Sequence, residues 1–201
     1  MSALKEEVKI AQWFKSEAHF DRLFPSHIQE LSARHWTPLH VAKKASGFLA
    51  ADKNARILDI GSGVGKFCLS GAFFEPDANF FGVEQRQNLI DYAEAAKEKL
   101  CLKNVSFLYK NITGVHFKDY DHFYFFNSFY ENLDGTNKID DTIDYSGALF
   151  HYYSIFLLRQ LESKPAGTRL VTYHSLESEV PEGYQLVTTD LDDLLKFWIK
   201  I

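Results

Sequence analysis

The sequence predicts an α/β fold built on a mostly parallel sheet, and three observations lead to it. From Arg56 to Gly71 the chain reads Arg-Ile-Leu-Asp-Ile-Gly-Ser-Gly-Val-Gly-Lys-Phe-Cys-Leu-Ser-Gly, an apolar run of strand length that passes through closely spaced glycines into a helix. Strand-like and helix-like stretches then alternate up to Tyr173, an order that predicts parallel pairing through right-handed crossovers. The last third changes rhythm. Tyr184 to Thr189 and Leu194 to Ile201 flank a short acidic turn, which predicts a C-terminal antiparallel hairpin. A length of 201 residues with 46% hydrophobic composition suits one compact domain with a sizeable core.

Taken in order, Leu4 to Phe24 fits a helix, with Val8, Ala11, Trp13 or Phe14, Ala18 and Leu23-Phe24 as its apolar stripe. Pro25 and Ser26 interrupt it, and a second short helix is expected from Ser26 to Ala33. Residues 1–50 read as an N-terminal helical cap over a core of residues 51–201. That cap either closes a ligand crevice or covers a sheet edge. Thr37 as N-cap and Pro38 in the first turn start a helix that Val41, Ala42, Ala45, Phe48 and Leu49 continue. After the strand Ile57 to Ile60 a helix starts at about Val64, has Phe67 to Phe74 as its body and ends before Pro76-Asp77. Phe80 to Glu84 is the second strand, Asn88 to Leu100 an amphipathic helix, and Val105 to Tyr109 the third strand. Asp121 to Phe126 is the fourth. Leu133 to Ser146 reads as a loop long enough to close over a substrate; its acids Asp140, Asp141 and Asp144 read as solvated loop charges, or else as a rim that attracts a cationic amine. Tyr145 to Glu162 is a helix and Thr168 to Tyr173 the fifth strand.

The glycines mark the candidate site, since side chains there would occupy a ligand's space. A dinucleotide fingerprint wants its third glycine three places after the second. Here Gly65 follows Gly63 by two, and Lys66 stands where that pattern wants a small residue. Glu84 comes about twenty residues after the glycines, where a carboxylate can accept both hydroxyls of a ribose.

Asp59-Ile-Gly-Ser-Gly-Val-Gly65 followed by Gly82-Val-Glu84 resembles the first two motifs of the class I S-adenosylmethionine-dependent methyltransferases, in particular the branch of the Dot1-like histone-lysine enzymes. The resemblance implies a Rossmann-like seven-stranded mostly parallel sheet with one reversed strand in the C-terminal antiparallel hairpin, and S-adenosyl-L-methionine as cofactor. It places Gly61, Ser62, Gly63 and Gly65 beneath the methionine part, with Asp59 orienting that part. Glu84, with its neighbour Gln85, holds the ribose. Asn111 bonds the adenine amino group and Ile112 packs on the ring, although Asn111 also suits a plain chain turn. Thr37 touches the methionine end, or merely caps its helix. Asn127, beside the cofactor, holds the target nitrogen, and Phe129 and Tyr130 shape its passage. No metal is required.

Many amino-group methyltransferases carry two prolines after that Asn. Ser128-Phe129 replaces them, and Asn-Ser-Phe is closer to the Asn-Asn-Phe of the Dot1-like branch. The expected reaction is therefore methyl transfer to an amine nitrogen of a protein side chain or small molecule. A nucleic-acid N-methyltransferase and a non-catalytic S-adenosylmethionine-binding domain are the alternatives. A formal charge of −5 gives nucleic acid no support, and Lys43, Lys44, Lys53 and Arg56 are the one early basic cluster. Cys68 and Cys101 lack ligand spacing and read as reduced thiols. The start Met-Ser-Ala-Leu-Lys-Glu-Glu is charged too early for a signal peptide, and no stretch has the length of a membrane span, so the expected address is cytoplasmic. Oligomeric state is left open.

Overall fold

The structure, a computed structural model, describes residues 10–201; the Leu4 to Lys9 part of the first expected helix lies outside them. Seven strands, β1 Arg56–Ile60, β2 Asn79–Glu84, β3 Val105–Tyr109, β4 His122–Phe126, β5 Arg169–Tyr173, β6 Tyr184–Asp190 and β7 Leu195–Lys200, form one sheet in the order β3-β2-β1-β4-β5-β7-β6. The pairs among β1 to β5 are parallel, while β7 is antiparallel to both of its neighbours. The expected hairpin thus forms, and its second strand inserts between β5 and β6. The order turns back between β1 and β4, and in an open parallel sheet that reversal leaves a crevice beyond the carboxyl ends of the strands.

Successive side chains of a strand point to opposite faces. Ile57, Tyr124, Val171 and Phe197 face one core with helices α4 (Leu39–Leu49), α5 (Lys66–Phe74) and α6 (Gln87–Lys99). Leu58, Phe123, Leu170 and Trp198 face the other, covered by α7 (Gly147–Glu162). Burial on both faces explains why the central strands read as nearly continuous apolar runs.

The N-terminal segment differs from the expected pair of helices. It consists of a 3-10 turn at Gln12–Phe14 and three short helices, α1 Glu17–Asp21, α2 Ser26–Gln29 and α3 Ser32–His35. The break comes at Ser16, whose side chain accepts from the His19 N–H and starts a new helix. Nor does Thr37 cap α4. Pro38 stands at the N-cap and the Leu39 N–H donates to Glu17 Oε1 at 2.7 Å, a cap from far upstream. Thr37 is left to bond the hydroxyl of buried Tyr124, at 3.0 Å.

Helix α5 begins at Lys66, two residues after the expected start, because Gly65 takes φ +78° as its N-cap. A Cβ on Gly65 would lie 2.4 Å from the Phe107 ring, whereas one on Gly63, at φ +53°, would meet nothing within 4 Å. The Gly65→Ala variant is expected to lose about 2–3 kcal/mol of stability in urea unfolding, from backbone strain plus overpacking. Gly63→Ala should lose about 1–2 kcal/mol, from strain alone. Equal losses would show that Phe107 moves aside.

Candidate active site

A cavity of about 340 Å³ opens at the carboxyl ends of the central strands. Gly61, Gly63, Glu84, Gln85, Asn111 and Ile112 line one side, and Asn127, Phe129 and Tyr130 line the other. A recess of about 20 Å³, lined by Thr37, Asp59 and Ser62, shares Gly61 and His35 with the cavity and so adjoins it. Gly65 lines neither; its place is against Phe107.

Glu84 is buried at the end of β2. Its Oε1 accepts the N–H groups of Gln85 and Arg86 at 2.9 and 3.0 Å, and its Oε2 accepts that of Gly63 at 3.2 Å. The glycine turn is thereby tied to the acid. Burial raises the Glu84 carboxyl above the usual carboxylate range, against the pull of the Arg86 guanidinium and these amides. Burial also pushes Asp59 up, to about 8; a bond from the Cys68 thiol at 3.6 Å opposes the shift. Without a cation beside it, Asp59 is therefore largely protonated at neutral pH.

Asn127 sits just past β4 with φ +46°, a conformation Asn tolerates better than most residues. Its Oδ1 is buried without a hydrogen-bond partner, as is Ser62 Oγ in the recess. Natural proteins rarely leave such atoms unpaired, and each is a place for a ligand donor. Asn111 differs from its expected role. Its Oδ1 accepts from the Thr113 N–H and hydroxyl at 3.1 and 2.9 Å, so the oxygen assigned to adenine already turns the chain. Its Nδ2 donates to Gln85 Oε1 at 3.0 Å and to the Tyr153 hydroxyl at 2.8 Å. Phe129 is buried between Phe125 and Tyr153, with ring centroids 5.0 and 5.6 Å away. Tyr130 meets Phe150 edge-on.

Several site residues carry no local signal. Buried Arg86 donates to Glu131 Oε2 at 2.7 Å and to Asp140 Oδ1 at 3.2 Å, partners far along the chain. Asp140, read as solvated, is thus an ion-pair partner, and bonds from the Thr142 hydroxyl and N–H, then the Arg86 charge, lower its carboxyl against burial. Buried Lys66, on the recess, bonds Glu17 and Asp21 at 2.5 and 3.2 Å and lies over the Phe20 and Trp36 rings. The early basic cluster is not in the site: Lys44 pairs with Asp190, and Arg56 starts β1 at the sheet's opposite end. The cations on the cavity wall are Arg34, Arg86 and Lys110, beside His35. Among the described residues no cluster suited to a metal ion occurs and no helix is long and apolar enough to cross a membrane.

A family model described as a methyltransferase domain matches residues 51–192. A tRNA (guanine-N(7)-)-methyltransferase of Synechococcus sp. (strain JA-3-3Ab) is 41% identical over 88 residues, 44% of this chain and 30% of that protein. The matched stretches span less than a third of the first curated relatives. Two crystal structures share the fold. An RNA methyltransferase from Salinibacter ruber, in complex with S-adenosyl-L-homocysteine, gives a TM-score of 0.57 at 19% identity, covering 82% of this chain and 92% of that one. TrmN from Thermus thermophilus gives 0.59 at 18% identity, covering 87% and 52%. The narrower likeness to the Dot1-like branch finds no support, since these curated relatives are tRNA methyltransferases.

Asp59 titrates at about 8 in the folded chain against an ordinary value of 3.8, so the folded state binds an extra proton between those values. Its contribution to stability is full below the lower value and is lost as pH rises through the upper. The stability of the wild type relative to Asp59→Asn should fall steadily from about pH 5 to about pH 9. A flat difference in urea unfolding would mean that folded Asp59 is already ionised.

Proposed function

The chain belongs to the methyltransferase-domain family, and from that premise we propose that it transfers a methyl group from S-adenosyl-L-methionine to N7 of guanine in RNA. The cradle at Gly63 carries the cofactor half of this reading, because a Cβ would stand in open space there while Glu84 fixes the N–H. Glu84 suits a ribose diol. Asp59 and the unpaired Ser62 Oγ suit the charged amino-acid end. Bound there, the cofactor supplies an electrophilic methyl on a sulfonium.

The RNA half rests on the curated relatives, and it replaces the protein or small-molecule amine expected from Ser128-Phe129. Arg34 and Lys110 on the cavity wall offer local cations for phosphate despite the overall charge of −5. Guanine N7 presents a lone pair and no hydrogen. The protein then needs no base there; it has to orient a flipped-out ring, exclude water and set the attack line. Phe129 and Tyr130 form the apolar wall for that ring, and the carboxylate of Glu131 faces the positive charge that N7 methylation creates.

One observation favours a second reading, transfer to an exocyclic amine of a base. The unpaired Asn127 Oδ1 would accept an N–H, which N7 lacks.

Radiolabelled S-adenosyl-L-methionine incubated with the protein and separated RNA, protein and small-molecule fractions should label RNA, with 7-methylguanosine after digestion. A labelled exocyclic amine would select the second reading, and label in protein or metabolites alone would overturn both. By calorimetry with S-adenosyl-L-homocysteine, Glu84→Ala should weaken binding at least about 30-fold through lost charge-assisted bonds. Asn127→Ala should bind within about threefold of wild type yet turn over about 100-fold more slowly. Unchanged turnover would remove Asn127 from the site.

A further inference from the structure

Arg86 joins the two halves of the cavity, and nothing in the reaction proposed above uses it. Its side chain is buried, and four of its five N–H donors are engaged. Nη1 reaches Glu84 Oε1 at 3.3 Å, on the cofactor side. Nη2 reaches Glu131 at 2.7 Å and the Tyr145 hydroxyl at 2.8 Å, and Nε reaches Asp140 at 3.2 Å. Tyr145 in turn donates to the Asp140 carbonyl. The last three partners all lie in segment 131–145, which has little regular structure and roofs the acceptor side through Glu131, Thr136, Asn137 and Ile139. The roof's other side-chain ties beyond itself are few: Asn132 Nδ2 donates to the Phe129 carbonyl at 3.0 Å, Arg34 donates to Asn137 at 3.2 Å, and Ile139 packs partly buried against the core.

One guanidinium thus serves three carboxylates, from Glu84, Glu131 and Asp140. Its bond to Glu84 is the longest of the four, on an oxygen that also accepts two backbone N–H groups. A diol donating to Glu84 spreads that carboxylate's charge and frees Arg86 to hold Glu131 and Asp140 more tightly. We propose that Arg86 is a positioning residue that couples an occupied cofactor crevice to closure of segment 131–145 over the acceptor. The coupling rests on the cofactor reading given above and extends it to the order of binding: cofactor first, then the base beneath a settled roof. A lysine cannot take its place, because an ammonium is a point charge without the planar fork that reaches three carboxylates at once.

Amide hydrogen exchange, with and without S-adenosyl-L-homocysteine, tests the coupling on the full chain. In the wild type the ligand should slow exchange in segment 131–145 about tenfold, a typical coupling between sites. In Arg86→Met and Arg86→Lys that protection should fall below about twofold while protection around Gly61 to Gly65 persists. Asp140→Asn, which weakens the Arg86 bond to the roof and leaves the Glu84 bond in place, should bind the ligand within about threefold of wild type, lose most of the roof's protection and raise KM for RNA at unchanged kcat. It also keeps the test decisive should the Arg86 variants fail to fold. Roof protection equal to wild type in Arg86→Met or Asp140→Asn overturns the coupling. No protection anywhere in the wild type instead overturns the cofactor site beneath it.

Discussion

The carboxylate of Glu84 ties together the turn, the strand end and the ion cluster that make the cavity. It collects the N–H of Gly63 from the glycine turn and those of Gln85 and Arg86 from the entry to α6, then meets the Arg86 guanidinium. A buried charge costs several kcal/mol of desolvation unless donors surround it, so these groups are held in one arrangement or the acid gives up its charge. Burial raises the Glu84 carboxyl while Arg86 and the Gly63 amide pull it down.

The same economy of charge attaches the N-terminal segment. Glu17 caps α4 with one oxygen and pairs with Lys66 with the other, so a half-exposed acid joins two helices near the recess. Its ion pair is screened on the Glu17 side and serves mainly to partner the buried Lys66 ammonium. The aromatic contacts of Phe20, Phe24 and Trp36 supply the packing. His35 and Arg34, from α3, then reach the cavity wall. Within the described part of the stretch expected as a cap, Arg34 and His35 are the residues that line the cavity.

Methyl transfer asks little covalent work of a protein, and the site has that character. Its polar atoms are set to orient: the unpaired oxygens of Asn127 and Ser62, the amide of Gly63 and the carboxyl groups of Glu84 and Asp59. Aromatic side chains close the acceptor side. The overall charge of −5, which spoke against nucleic acid, averages over the chain what the cavity wall does not share.

The sheet was legible from residue order because periodicity and turn chemistry are local. The strand Val105–Tyr109 ends where expected, and most other elements lie within a residue or two of their expected bounds. Glu84 and the glycines announced themselves for the same reason: the strand, turn and acid that hold them are neighbours in sequence. Contacts between distant residues were hidden. Thr37 looked like a cap because the true one, Glu17, comes from another helix, and Asp140 looked solvated because Arg86 lies 54 positions away. By itself the sequence determined the layers, the strand directions and the glycine turn between β1 and α5. Only the folded chain decided which charges meet, since burial brings them together and no spacing along the chain records it.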